Sequence, residues 1–134
     1  MTIVVTSEGQ EGLRHRLEVE GFDDLFADGP GFIGGSDSAP DPHDYFDMAL
    51  GACKAITARM YARRKEWPLE GVRVKVIRDD SQERHGTYRL LVSMDFLGIE
   101  DEKQRSRLLE IAERCPIQRL MTVSQIEIDT ELSA

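Results

Sequence analysis

Cys53 and Cys115 are the side chains of this 134-residue chain best suited to covalent chemistry. They are its only cysteines and stand 62 positions apart. Each falls on the apolar side of an expected helix or at a helix end. Cysteine is among the most buried residue types, so two unrelated core thiols are one reading. A redox pair is the other. Cys53 follows the stretch Ala49-Leu50-Gly51-Ala52, whose small residues let a second backbone or a ligand come close. Lys54, Arg59, Arg14 and Arg16 are available to stabilise a thiolate. Cys115 immediately precedes Pro116, whose ring sets the chain direction and removes one N–H. A reversible disulfide needs Cα atoms about 4.4–6.8 Å apart, a condition that spacing along the chain leaves open.

Other chemistries find little support. The metal-ligating set is the two cysteines with His15, His43 and His85, and no CxxC, HxH or HExxH spacing occurs. His15 sits in an alternating run and His85 in a polar turn, so no metal and no cofactor are expected. Gly29, Gly31, Gly34 and Gly35 match neither GxGxxG nor GxxxxGK[ST] and read as loop residues.

Positioning the cysteines requires a fold of mixed elements. Residues 1–5 and 13–19 are β-prone, and the second run alternates Leu13, His15, Leu17 and Val19 with Arg14, Arg16 and Glu18. From Gly21 to Pro42 the chain is rich in Gly, Asp, Pro and Ser, a long loop with a short strand near residues 25–27. A helix is expected from Asp41 as N-cap and Pro42 as first residue to about Lys65, with Asp44 facing free N–H groups at its start. Phe46, Leu50, Cys53, Thr57 and Met60 share one apolar face of it, and Trp67-Pro68 ends it. The runs 71–77 and 87–96 alternate as an antiparallel hairpin with a generous loop. A second helix covers about 101–114, with Leu108, Leu109, Ile111 and Ala112 toward a core. A break or fresh start follows at Pro116, and a last strand, Ser-Gln-Ile-Glu-Ile-Asp, turns Ile126 and Ile128 inward. Hairpin-like connections favour α+β over a doubly wound parallel sheet.

Composition bounds the partners. Forty per cent apolar and 31% charged residues describe a single domain spanning residues 1–134, able to bury about two thirds of its unfolded surface. The net charge of −8 is local: residues 1–50 hold eleven acidic and two basic side chains. Gripping a phosphate backbone takes a concentrated basic surface, so nucleic acid is not an expected partner. No run is long enough to span a bilayer and no secretory signal opens the chain, so the cytoplasm is the expected compartment.

The segments GGSDSAPDPHDYFDMALGACKAITARMYARRKEWPLEGV and DEKQRSRLLEIAERCPIQRLMTVSQIEI together resemble the OsmC/Ohr family of osmotically inducible and organic-hydroperoxide-resistance proteins, closest to its small bacterial OsmC-like branch. The resemblance spans about residues 13–132, its two halves in the family's order. It implies an intertwined homodimer of small antiparallel sheets packed on two main helices. It also implies a peroxiredoxin-like, thiol-dependent reduction of organic hydroperoxides, with Cys53 as peroxidatic thiolate and Cys115 as resolving thiol. A lipoyl-like dithiol or a small thiol would reset the pair. An inward-facing Cys53 then suits an apolar pocket of Phe46, Leu50, Ile56 and Met60, for which ordinary core is the plainer reading.

The chain departs from the family at three places. The family's carboxylate ahead of the cysteine corresponds to His43 or Asp44. On an ideal helix Asp44 lies about 180° from Cys53 and His43 about 80°, so the better-aimed residue is not the carboxylate. The family's activating arginine corresponds to Arg14 or Arg16, both also readable as solvated strand residues. Its histidine after the second cysteine is Gln118 here. The alternative function is a small-ligand-binding or thiol-exchange protein of the same fold without efficient peroxidase activity. A purely structural dimer is the third.

Overall fold

The computed structural model describes residues 1–133. The chain forms two compact units, Met1–Asp47 and one beginning at Met48, with the boundary inside the long helix α1 (Pro42–Arg64). The architecture is α+β.

In the first unit, β1 (Ile3–Ser7), β2 (His15–Val19) and β3 (Leu25–Ala27) form an antiparallel sheet in chain order. Val5 pairs with Leu17, and His15 with Ala27. Within β2 the expected alternation holds, with His15, Leu17 and Val19 half-buried and Arg16 and Glu18 exposed, but it fails ahead of the strand, where Leu13 is exposed and Arg14 half-buried. Ile3, Val5, Leu17, Val19, Leu25 and Ile33 line an open apolar cavity of about 670 Å³ on one face of the sheet. The Gly-rich loop after β3 is tied down by buried Asp28. Its carboxylate accepts from the backbone N–H of Gly29 (2.7 Å), Ser36 (3.3 Å) and Ser38 (3.1 Å) and from the Ser38 hydroxyl.

Helix α1 begins as expected. Asp41 Oδ1 accepts from the Asp44 N–H and Asp44 Oδ2 from the Asp41 N–H, both at 2.9 Å, a reciprocal cap. It ends one residue before Lys65 in a Schellman closure. The Trp67 N–H reaches the Ala62 carbonyl (2.9 Å) and the Glu66 N–H that of Arg63 (3.1 Å), with Glu66 left-handed at φ 56°.

In the second unit, β4 (Gly71–Asp79) and β5 (Arg89–Leu97) form the expected antiparallel hairpin, Val72 opposite Phe96, Val74 opposite Met94 and Val76 opposite Val92. Helix α2 (Glu102–Glu113) follows, with Asp101 accepting from the Lys103 and Gln104 N–H groups, and then α3 (Pro116–Thr122). Ala58, Ala62, Phe96, Ile99 and Leu108 make the core, flanked by Tyr61, Trp67, Val72 and Met94.

Three expectations need correction. The buried row of α1 is Leu50, Lys54, Ala58 and Ala62, not the row through Phe46, Cys53 and Met60. Small residues carry the close packing: a Cβ on Gly51 would meet Val76 Cγ2 at 3.3 Å. On α2, Leu108 and Ala112 are buried but Leu109 faces out. Residues 124–130 form no strand, and Ile126 and Ile128 are 61% and 81% exposed. A strand exists only where a neighbouring strand bonds its backbone, and this segment joins neither sheet.

Candidate active site

Cys53 projects from the middle of α1, half-buried at the seam between its packed and open faces. Cys115 stands between α2 and α3 and is fully buried. Proline is the local cause of that position. A residue before proline is driven out of helical backbone, and Cys115 adopts φ −63° and ψ 147°. Pro116 then opens α3, and Cys115 becomes its N-cap, Sγ accepting from the Gln118 N–H at 3.4 Å.

Both side chains are free thiols, and Cys53 lies near enough to Cys115 to act on its thiol. The Cys115 thiol is pushed above its ordinary value chiefly by burial, which penalises the thiolate. The Gln118 N–H works against that, the neighbouring Cys53 adds to it, and the positive charge of Lys54 opposes it.

Lys54 was expected only as one of four available cations, and its position is more specific than that. Its side chain is 5% exposed. Nζ donates to the Ala112 carbonyl at the end of α2 (3.0 Å) and to Gln118 Oε1 on α3. The signal was in the sequence: Lys54 interrupts the i, i+4 row of Leu50, Ala58 and Ala62, where a lysine must bring its own acceptors.

The other anticipated residues have these settings. Arg14 and Arg16 lie in the first unit with partners there. Arg14 Nη1 donates to the Ser38 carbonyl (3.2 Å) and hydroxyl (2.9 Å), its guanidinium lies 4.2 Å from the Phe26 ring centre, and Nε is 3.6 Å from Glu8. Arg16 is 3.4 Å from Glu8 and 3.9 Å from Asp24. Asp44 is committed to the reciprocal cap, and His43 is exposed on the same first turn. Of the expected pocket residues Leu50 is buried, whereas Phe46, Ile56 and Met60 are 46%, 60% and 57% exposed.

Among the described residues, no three His, Cys, Asp or Glu side chains converge as metal ligands, and no helix is long and apolar enough to cross a membrane. The arrangement offers two adjacent thiols of unequal exposure beside a buried ammonium. Such a pair can carry two electrons through a disulfide.

The family model described as OsmC-like protein matches residues 35–131. Solved structures agree in fold. A Psychrobacter arcticus protein named for osmotic stress and detoxification response superposes with TM-score 0.73 at 21% identity, over 90% of this chain and 87% of that one. An OsmC-like protein from Mycoplasma pneumoniae gives 0.69 at 18%, over 99% and 96%. An organic hydroperoxide resistance protein OsmC from Legionella pneumophila gives 0.64 at 20%, over 92% and 90%. No curated protein is a significant match by sequence.

Proposed function

The chain belongs to the OsmC-like protein family, and from that premise we propose that it is a thiol-dependent peroxidase reducing organic hydroperoxides to alcohols. The observation that carries this reading is the pairing of Cys53 with Cys115, half-exposed thiol against buried thiol. The more accessible sulfur is the one a substrate can reach. The Cys53 thiolate attacks the outer peroxide oxygen, the O–O bond breaks, and the alcohol leaves with a proton while Cys53 becomes a sulfenic acid. Cys115 then displaces hydroxide from that sulfur, closing a disulfide and releasing water. A dithiol, lipoyl-like or small, reduces the disulfide by exchange. The organic-hydroperoxide-resistance name of the Legionella neighbour points the same way.

Arg14 or Arg16 would steady the thiolate, with His43 or Asp44 in place of the family's carboxylate. The open apolar stripe of Phe46, Ile56 and Met60 beside Cys53 would hold the organic group once a second copy covers it, so the working unit is a homodimer. A cycle that begins from free thiols suits the reducing cytoplasm.

Consumption of cumene hydroperoxide with dihydrolipoamide or dithiothreitol tests the reading. Turnover is expected in the parent and absent in Cys53→Ser. After mild peroxide the intact mass should fall by two hydrogens per chain, and Cys115→Ser should instead retain a trappable sulfenic acid. Parent turnover no higher than that of Cys53→Ser would end the peroxidase reading and leave ligand binding or thiol exchange in its place.

A further inference from the structure

Cys115 is poorly prepared for the step it would perform. It is fully buried, and burial disfavours the thiolate needed for attack. Two favourable contacts reach its surroundings, and both involve Gln118. The Gln118 N–H donates to Sγ, and the Gln118 side-chain oxygen accepts from Lys54 Nζ. Nζ is held from its other side by the Ala112 carbonyl, the last turn of the helix that delivers Cys115. A buried lysine on the packed face of α1 therefore joins the end of α2 to the first turn of α3, with the sulfur between them. This costs desolvation of an ammonium, although a leucine or alanine would fill the same row. The groups acting on the sulfur are Cys53 and Lys54 from α1 and Gln118 from α3. Its nearest ionisable sequence neighbours, Glu113 and Arg114, are exposed.

We propose that Lys54, acting with Gln118, is a positioning residue for the second thiol. Its charge, and its hold on Gln118, support the Cys115 thiolate that attacks oxidised Cys53. This assignment rests on the peroxidase reading for its chemistry but not for its first test. In the resolving step the Cys115 thiolate forms the S–S bond, the S–O bond of the Cys53 sulfenic acid breaks, and the departing hydroxide takes a proton from solvent. The oxidant is the hydroperoxide consumed in the preceding step.

The first experiment needs no peroxide. In a Cys53→Ser background, the thiolate absorbance of Cys115 near 240 nm is followed against pH with and without Lys54→Met. Circular dichroism establishes that each variant is folded. The Cys115 titration is expected to move up by about one unit, a tenfold tighter proton, and Lys54→Arg, which keeps the charge, should restore at least half of the shift. Gln118→Leu should move it in the same direction. A second experiment, with both cysteines present, traps sulfenic acid with dimedone after a peroxide pulse. The trapped fraction should rise at least fivefold in Lys54→Met over the parent. An unchanged titration in folded Lys54→Met overturns the proposal, as does a shift that Lys54→Arg leaves entirely in place. A shifted titration in a protein that consumes no peroxide would leave the Lys54 assignment standing and remove only the peroxidase reading. If Lys54→Met does not fold, the Lys54→Arg and Gln118→Leu titrations decide alone.

Discussion

Asp28 is a carboxylate almost wholly removed from water that holds four hydrogen bonds to its own loop. The Ser38 hydroxyl is the strongest influence on it. Together with the N–H groups of Ser38, Gly29 and Ser36 it holds the carboxyl below the usual carboxylate value, against the opposing effect of burial. The sign of the pH effect follows. A folded-state value below the unfolded one, about 3.9, means the contribution to stability is complete above that pH and is lost as pH falls through the folded value. Asp28→Asn should therefore be less stable than the parent near neutral pH, and the gap should narrow in acid as pH falls below the ordinary carboxylate value. Urea unfolding at the two pH values checks this, and a gap that widens in acid would contradict it. Nothing in the local sequence marks Asp28 among the eleven acids of the first fifty residues; its partners are brought to it by the turn of the loop. Cys53 and Cys115, by contrast, were recognisable by type, and only their contact was not.

Elements were legible wherever ends were chemically marked. Asp41-Pro42 with Asp44 marked the start of α1; Asp101, expected inside the second helix, is its N-cap, and the break or fresh start expected at Pro116 is the start of a further helix. What the marks did not disclose was which face of α1 is buried. Large apolar residues suggested the Phe46–Met60 face, but packing against β4 and α2 demanded small ones, Gly51, Ala58 and Ala62. The far end of α1 carries a testable cost. Glu66 occupies the left-handed position of the Schellman closure, at φ 56°, where a side chain is disfavoured by about 1 kcal/mol. Glu66→Gly should raise stability by roughly 0.5–1 kcal/mol, read as a higher denaturant midpoint at unchanged slope. A lower midpoint would mean that the Glu66 side chain supports the turn.

At the scale of the whole molecule, large apolar side chains are exposed on three elements: the cavity-bearing face of the β1–β2–β3 sheet, Phe46, Ile56 and Met60 on α1, and Ile126 and Ile128 in the C-terminal segment. Contiguous apolar patches mark interaction surfaces, and an alternating segment that joins no sheet can gain a partner strand from a second copy. The chain should therefore be a homodimer with an interface above about 2,000 Å². Sedimentation equilibrium at micromolar concentration should give twice the chain mass, and removal of residues 124–134 should weaken the association. A folded monomer at that concentration would refute the prediction.

The α+β class, the three N-terminal strands, the hairpin and the two long helices were all readable before any coordinates. They depend on local pattern: alternation, caps, prolines and turn residues act within a few positions of where they stand. The two cysteines were readable for the same reason, as side chains whose chemistry is intrinsic. Tertiary structure alone decided that Cys53 and Cys115 meet and that Lys54 is buried against Gln118 and Ala112. It also decided that Asp28 gathers its loop and that the 124–130 segment joins neither sheet. Each of these turns on groups brought together from separate parts of the chain. Their energies depend on burial and distance in space, which local pattern does not contain.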